Sequence, residues 1–374
     1  MKKIFAVSFN FFFGVTAFSQ IANISEILKD IQNTQANINT AMYSVERTDT
    51  LVTDDIRTMS GNVIIEKDNT DTLFGFRFWA KKDSDKSERI YDGHIGYETN
   101  LDARNYRLLN TGQELRYLLY NGGAQVVVPE LIHIDTSGVK KTEVSEDNKY
   151  YYLTFYYPDL TQYDVIKRRK IITIDKLTML PASVRSHQET YGKVQDLFFR
   201  ITDIKIDQPL TYDFETLPFL KAYVQFIPAE RKNPILNLKN KPAPAFNLNS
   251  LDGKAISSEA FKGKVVLLDF WEVWCGPCIE SMPKVHDLYE KYKAKGFQVY
   301  GIVNDLRSVQ AIREFVKKRS IRFPVLMGDE QLKKDYKLDG SVPLYILINK
   351  KGEIIFVQPG YSTDMESIIK KELE

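Results

Sequence analysis

Two hydrophobic periods divide this chain. From Ile21 to about Tyr43, Ile24, Ile27, Leu28, Ile31, Gln35, Ile38 and Met42 fall on one face at helical spacing, which predicts a leading amphipathic helix. After it the period changes to two. Met59–Lys67, Thr72–Lys81, Ser87–Gly93, Ile95–Asn100, Lys149–Tyr157, Ile166–Ile174, Ala182–Gln188 and Asp196–Ile206 alternate or run β-branched and aromatic. Asp92-Gly93, Asp102-Ala103, Gly122-Gly123 and Tyr191-Gly192 supply the turns between them. One helix and many meandering strands predict a curved antiparallel sheet of roughly 170–200 residues.

Between Leu220 and Lys241 the periodicity lapses. Pro228 and Pro234, with Pro242 and Pro244 just beyond, and Glu230, Arg231, Lys232 and Lys239 make a semi-rigid, charged connector. Beyond it, Val265–Phe270 reads as a strand buried on both faces, and an amphipathic pattern follows with Ile279, Met282, Val285, His286 and Tyr289 inward. Phe297–Val303 predicts a second buried strand, capped by Asn304 or Asp305 before a helix with Val309, Ile312, Phe315 and Val316 inward. A short strand at Phe323–Met327, a brief helix to Tyr336, a hairpin of Leu344–Ile348 with Glu353–Val357 and a terminal helix complete the pattern. Strands joined by helical crossovers mean a parallel core with an antiparallel hairpin at one end.

The first 19 residues stand outside both patterns. Lys2 and Lys3, the apolar run Ile4–Phe18 and small residues at Ala17 and Ser19 predict a cleaved signal peptide. The run is short and interrupted for a membrane span, and an uncleaved anchor is the alternative. Export to the periplasm of a Gram-negative-type envelope is therefore expected. Composition changes little else. With 374 residues, 43% apolar, 27% charged and a formal net charge of +2, the chain suits two globular domains and gives no case for a nucleic-acid partner.

The candidate chemistry lies in the chain's two cysteines, Cys275 and Cys278, at the junction of strand and helix. Free N–H groups and the positive end of the helix dipole stabilise a thiolate at Cys275, the form that attacks disulfides. Cys278, one turn on, is close enough to resolve a mixed disulfide, and Pro277 is tolerated in the first turn. Zinc would need two more ligands, and of His94, His133, His187 and His286 only the last is near, at a spacing typical of no zinc site. A redox-active Cys275–Cys278 pair is the reading adopted over a purely structural disulfide; no metal or other cofactor is expected.

The stretch VVLLDFWEVWCGPC resembles the active site of the thioredoxin superfamily, and with the lead-in PAPAFNLNSLDGKAISSEAFKGKVVLLDFW it is most similar to exported TlpA/ResA-like thiol-disulfide oxidoreductases. The resemblance implies a thioredoxin-like α/β/α sandwich, Cys275 as nucleophile and Cys278 as resolving thiol. It places Pro343 as a cis-proline opposite the dithiol, with Val342 pairing to substrate and Trp274, Gly276 and Pro277 beside it. The branch commonly has Thr where this chain has Leu344. Asp269 matches the superfamily's buried acid, a proton acceptor for Cys278 whose pKa burial would raise, but the lysine that accompanies it has no counterpart near Val303–Asp305. Glu272 is a departure, since small residues are usual there; its charge would weakly disfavour the Cys275 thiolate or be solvated. Gly-Pro between the cysteines is the pairing of strongly reducing members, near about −270 mV for thioredoxin. Partners implied are disulfide-containing proteins and a membrane electron donor.

The first part resembles, on weaker motifs, the LolA/LolB-like half-barrel of lipoprotein carriers: YDGHIGYETN, YYYLTFYYPD and VQDLFFRITDIKIDQPLTYDF carry the likeness. Such a sheet encloses a groove for a lipid or peptide; the alternatives are aromatics that fill a core, or a docking surface. The expected layout is a signal peptide at 1–19, the half-barrel with its leading helix at 20–222, a linker at 223–237 and the thioredoxin-like domain at 238–374, in a mixed α+β and α/β chain. The function expected is disulfide reduction. A ligand-binding envelope protein with a regulatory dithiol is the rival, and a peroxidase a third reading.

Overall fold

A computed structural model describes residues 23–227 and 234–374; the signal-peptide segment 1–19 lies outside them. Helix α1 (Ile24–Ala36) opens with Asn23, whose side chain accepts from the Ser25 N–H, and buries Ile27 and Ile31. It is shorter than its hydrophobic period. Strand β1 (Thr40–Thr50) begins where the helix was expected to continue, with Ala41, Tyr43 and Val45 alternating inward. Tertiary pairing of β1 on both edges overrides the helical spacing of Ile38 and Met42.

The chain then runs β2 (Ile56–Lys67), β3 (Phe76–Lys82), β4 (Ser87–Tyr91), β5 (Gly96–Asn100) and β6 (Asn105–Leu109), followed by the one-turn helix α2 (Gly112–Arg116). It returns through β7 (Lys141–Glu146), β8 (Tyr150–Tyr156), β9 (Val165–Asp175), β10 (Pro181–Thr190) and β11 (Lys193–Ile206). Helix α3 (Phe219–Ala222) and the short β12 (Val224–Gln225) end this part. All twelve strands form one open sheet, ordered β12-β6-β5-β4-β3-β2-β1-β11-β10-β9-β8-β7. Every pairing is antiparallel except β12 with β6. One core assembles against α1 and the 118–134 segment, where Ala124, Val126, Val128 and Leu131 meet Phe76, Phe78 and Tyr91. The aromatics on that face are core; each fully buried Phe contributes about 1.5–3 kcal/mol.

The second sheet follows the small hairpin β13 (Asn247–Asn249) and β14 (Ala255–Ser257). Its strands are β15 (Val265–Phe270), β16 (Phe297–Val303), β17 (Val325–Met327), β18 (Leu344–Ile348) and β19 (Ile354–Pro359), ordered β17-β16-β15-β18-β19. β15 and β16 are parallel, as are β16 and β17, while β18 runs antiparallel to β15. Helices α4 (Gly276–Tyr292), α5 (Val309–Lys318) and α7 (Asp364–Leu373) cover one face. The turn at Pro234–Leu238 and α6 (Glu330–Asp335) cover the other. Every residue of β15 is buried, which is why its sequence shows no alternation and, Asp269 apart, is an apolar run.

The two sheets are in contact. Tyr191 and Val52 of the first belong to the same buried cluster as Cys275, Trp271 and Phe315. Around them, Asp164 pairs with Lys318 at 2.6 Å, Gln162 accepts from Arg319, and Asp55 pairs with Arg307. The Tyr163 hydroxyl donates to Glu280 on α4. Among the described residues no helix is long and apolar enough to cross a membrane.

Candidate active site

The strand β15 ends at Phe270, and five residues later Cys275 caps α4 in an extended conformation. Between them Trp271 is fully buried and stacks on Phe315 with centroids 4.7 Å apart. That packing fixes the path from strand to helix. Cys275 and Cys278 are joined by a disulfide, with Cα atoms 5.2 Å apart, and the Cys275 sulfur accepts from the Cys278 N–H at 3.2 Å. The first helical turn thus directs an orphan donor at the sulfur, the arrangement that favours a thiolate there after reduction. Cys275 is 4% exposed and Cys278 1%.

Around the pair, Trp274 is 52% exposed and borders a cleft of about 770 Å³ that Glu272, Asp305, Arg307 and Val342 also line. An ideal Cβ on Gly276 would meet no atom within 4 Å, and Pro277 lies in the helix's first turn. The Val342–Pro343 peptide bond is cis, and the Pro343 carbonyl accepts from the Gly360 N–H at 2.9 Å. Pro343 is buried and Val342 half-buried.

Asp269 is 1% exposed, and neither carboxyl oxygen has a partner among the described residues. Burial alone pushes its pKa up to about 8 from an ordinary 3.8. Its cross-strand neighbour on β18 is Tyr345. The Tyr345 hydroxyl donates to Ser281 Oγ at 2.8 Å, and Ser281 in turn donates to the Pro277 and Cys278 carbonyls. Burial, with the Asp269 charge second, holds the Tyr345 phenol above its usual range.

Glu272 is the correction. The alternative that it is solvated fails, because the residue is 4% exposed. Its Oε1 accepts from the backbone N–H groups of Asn304 at 2.8 Å and Asp305 at 3.1 Å. Burial pushes its pKa up to about 7, with those two N–H groups pulling the other way. The signal was present in the sequence: positions 266, 268, 270 and 272 share one parity, and the first three are core. Ser281, Tyr345 and Arg307 had no such signal. Ser281 and Tyr345 meet across 64 residues, and Arg307, beside its local bonds to Asp305, pairs with Asp55 beside the first sheet.

Comparison with known proteins agrees with this geometry. Residues 238–373 match the family described as Redoxin. Thiol-disulfide oxidoreductase ResA of Bacillus thuringiensis subsp. konkukian (strain 97-27) is 39% identical over 137 residues, covering 35% of this chain and 76% of the relative. ResA of Bacillus subtilis (strain 168) is 33% identical over 122 residues, covering 33% and 68%. The solved thiol:disulfide interchange protein of Chlorobium tepidum TLS aligns with 36% of this chain and 98% of its own, at 27% identity and a TM-score of 0.34, a likeness that decides nothing by itself. By its Redoxin region and these relatives, the chain belongs to the ResA-like thiol-disulfide oxidoreductases of the thioredoxin superfamily.

Proposed function

We propose that the chain is an exported reductase of protein disulfides, in which Cys275 is the nucleophile and Cys278 the resolving thiol. The observation that carries this reading is the Cys275–Cys278 bond at the cap of α4, with a carboxyl buried on the adjoining strand that has no partner among the described residues. The Cys275 thiolate attacks one sulfur of a substrate disulfide and expels the other as a thiolate. Asp269 takes the Cys278 proton; the Cys278 thiolate attacks Cys275 Sγ and releases the second substrate sulfur. Two electrons pass from the dithiol to the substrate, and the pair is left as the disulfide. Trp274, Gly276, Pro277 and the Val342–Pro343 turn form the surface on which the substrate chain lies, extended along Val342 like an added strand.

A membrane electron donor returns the two electrons, and residues 1–19 direct export to the periplasm. We place the boundaries at 20–222, 223–237 and 238–374, the last supported by the Redoxin match. The half-barrel likeness of the first sheet extends the reading to a lipid or peptide ligand there; a native mass spectrum free of any co-purifying ligand would remove that extension. The test of the mechanism is trapping. Cys278→Ser is expected to accumulate a covalent adduct with a peptide disulfide, seen as added mass, and Cys275→Ser to form none. Equal trapping by both variants would overturn the assignment of roles.

A further inference from the structure

Glu272 closes a ring around the dithiol's exposed neighbour. Its Oε1 pins the two amides of the turn that leaves β16, while Oε2 is buried with no partner among the described residues. Asp305, which supplies one of those amides, turns its own carboxylate to Arg307, with Nε at 2.8 Å and Nη2 at 2.6 Å. The Trp274 side chain lines the same cleft as Glu272, Asp305 and Arg307 and is the smallest of the influences that hold the Asp305 carboxyl below its usual range. The path therefore leaves the chain at Glu272, crosses to Asp305 and returns at Trp274, two residues on and directly before Cys275. Arg307 extends it to Asp55 of the first sheet.

We infer that Glu272 is a positioning residue of the redox site: its carboxylate fixes the 304–305 turn and, through Asp305, the place of the Trp274 indole beside Cys275. This rests on the reading above that Trp274 meets the substrate. The physical basis is that hydrogen bonds to an ionised acceptor are roughly twice as strong as those to a neutral one. With Glu272 pushed up to about 7, the turn is held tightly above that pH and more loosely below it. Asp305 and Arg307 face the carboxylate from the turn and Lys333 from α6, Asp339 borders the same cleft, and Asp269, of the other parity, lies on the opposite face of β15. Asp305 opposes ionisation of Glu272 and Lys333 favours it. Asp269, itself pushed up to about 8, is the neighbour whose titration must be separated.

The experiment is an NMR titration of the full oxidised chain from about pH 5.5 to 9, in wild type, Glu272→Gln and Asp269→Asn. Glutamine keeps an oxygen for both amides but cannot ionise, which separates charge from structure. The amide protons of Asn304 and Asp305 and the indole N–H of Trp274 are expected to shift together with a midpoint near 7 in wild type and Asp269→Asn. All three are expected to be flat through that range in Glu272→Gln. An acid limb in kcat/KM toward a peptide disulfide is expected at the same midpoint, and to be lost in Glu272→Gln. A Trp274 signal that stays still while the amides titrate, or a titration that survives in Glu272→Gln, overturns the inference. Should Glu272→Gln fail to fold, wild type and Asp269→Asn decide alone, through the presence or absence of the common midpoint. Should no disulfide be reduced, the reductase reading fails while the spectra still decide this one.

Discussion

Replacing Asp269 by Asn removes the most strongly perturbed acid of the site, and linkage sets the size of the effect. Its folded pKa is raised from 3.8 to about 8 by burial. Between those values the unfolded chain has released the proton and the folded chain still holds it. Stability from this group is therefore full below about pH 4 and is lost as pH rises toward 8, at about 1.4 kcal/mol per pH unit. By pH 7 the loss amounts to about 4 kcal/mol. Asn carries no ionisation and escapes it, but its buried amide has no partner to meet, at a cost of about 1–3 kcal/mol. The variant is thus expected to be more stable than wild type by about 1–3 kcal/mol at pH 7. The advantage should vanish on acidification to between about pH 4.5 and 6, turn into a deficit of about 1–3 kcal/mol toward pH 4, and level off above about pH 8. Guanidinium unfolding of the oxidised protein, followed by tryptophan fluorescence at half-unit pH steps, measures this. Parallel stability profiles for the two proteins would refute the argument, because they would mean that Asp269 ionises normally in the folded state. The same variant should also slow resolution of the mixed disulfide at neutral pH, by about a hundredfold if Asp269 is the base.

Tyr345→Phe deletes the donor to Ser281, leaving a buried hydroxyl with one contact fewer; a loss of about 1 kcal/mol is expected by the same unfolding assay. Asp55→Ala removes a partly exposed ion pair to Arg307 and should cost under about 1 kcal/mol, shrinking further in high salt. A larger, salt-independent loss would mean that the contact between the two sheets depends on this pair.

What could be read from the sequence follows burial. β15, β16 and β18 stand out because both of their faces are covered, so apart from Asp269 and Gln298 they carry no charged or amide side chain. The dithiol follows from its place between a buried strand and an amphipathic helix. β1 was hidden because Ile38 and Met42 extend the helical period past Asn37, where α1 is capped; its strand character is decided by β2 and β11, one near and one about 160 residues away. β6 and β7 escaped notice because they bury few residues: β7 has no buried position and forms the sheet's edge. Glu272 was misjudged by its type rather than its parity. The contacts of Tyr163, Asp164 and Tyr191 with α4 and α5 left no local trace, since each partner lies more than 110 residues away.

The equilibrium reduction potential of Cys275–Cys278 tests the central claim most directly. Thiol alkylation in defined dithiothreitol buffers at pH 7, read as a gel shift, measures it on the full chain. The account predicts a value near or below about −270 mV, the range of a dithiol that donates electrons to substrate disulfides. A value near about −120 mV, that of a strong oxidant, would reverse the direction of transfer and contradict it.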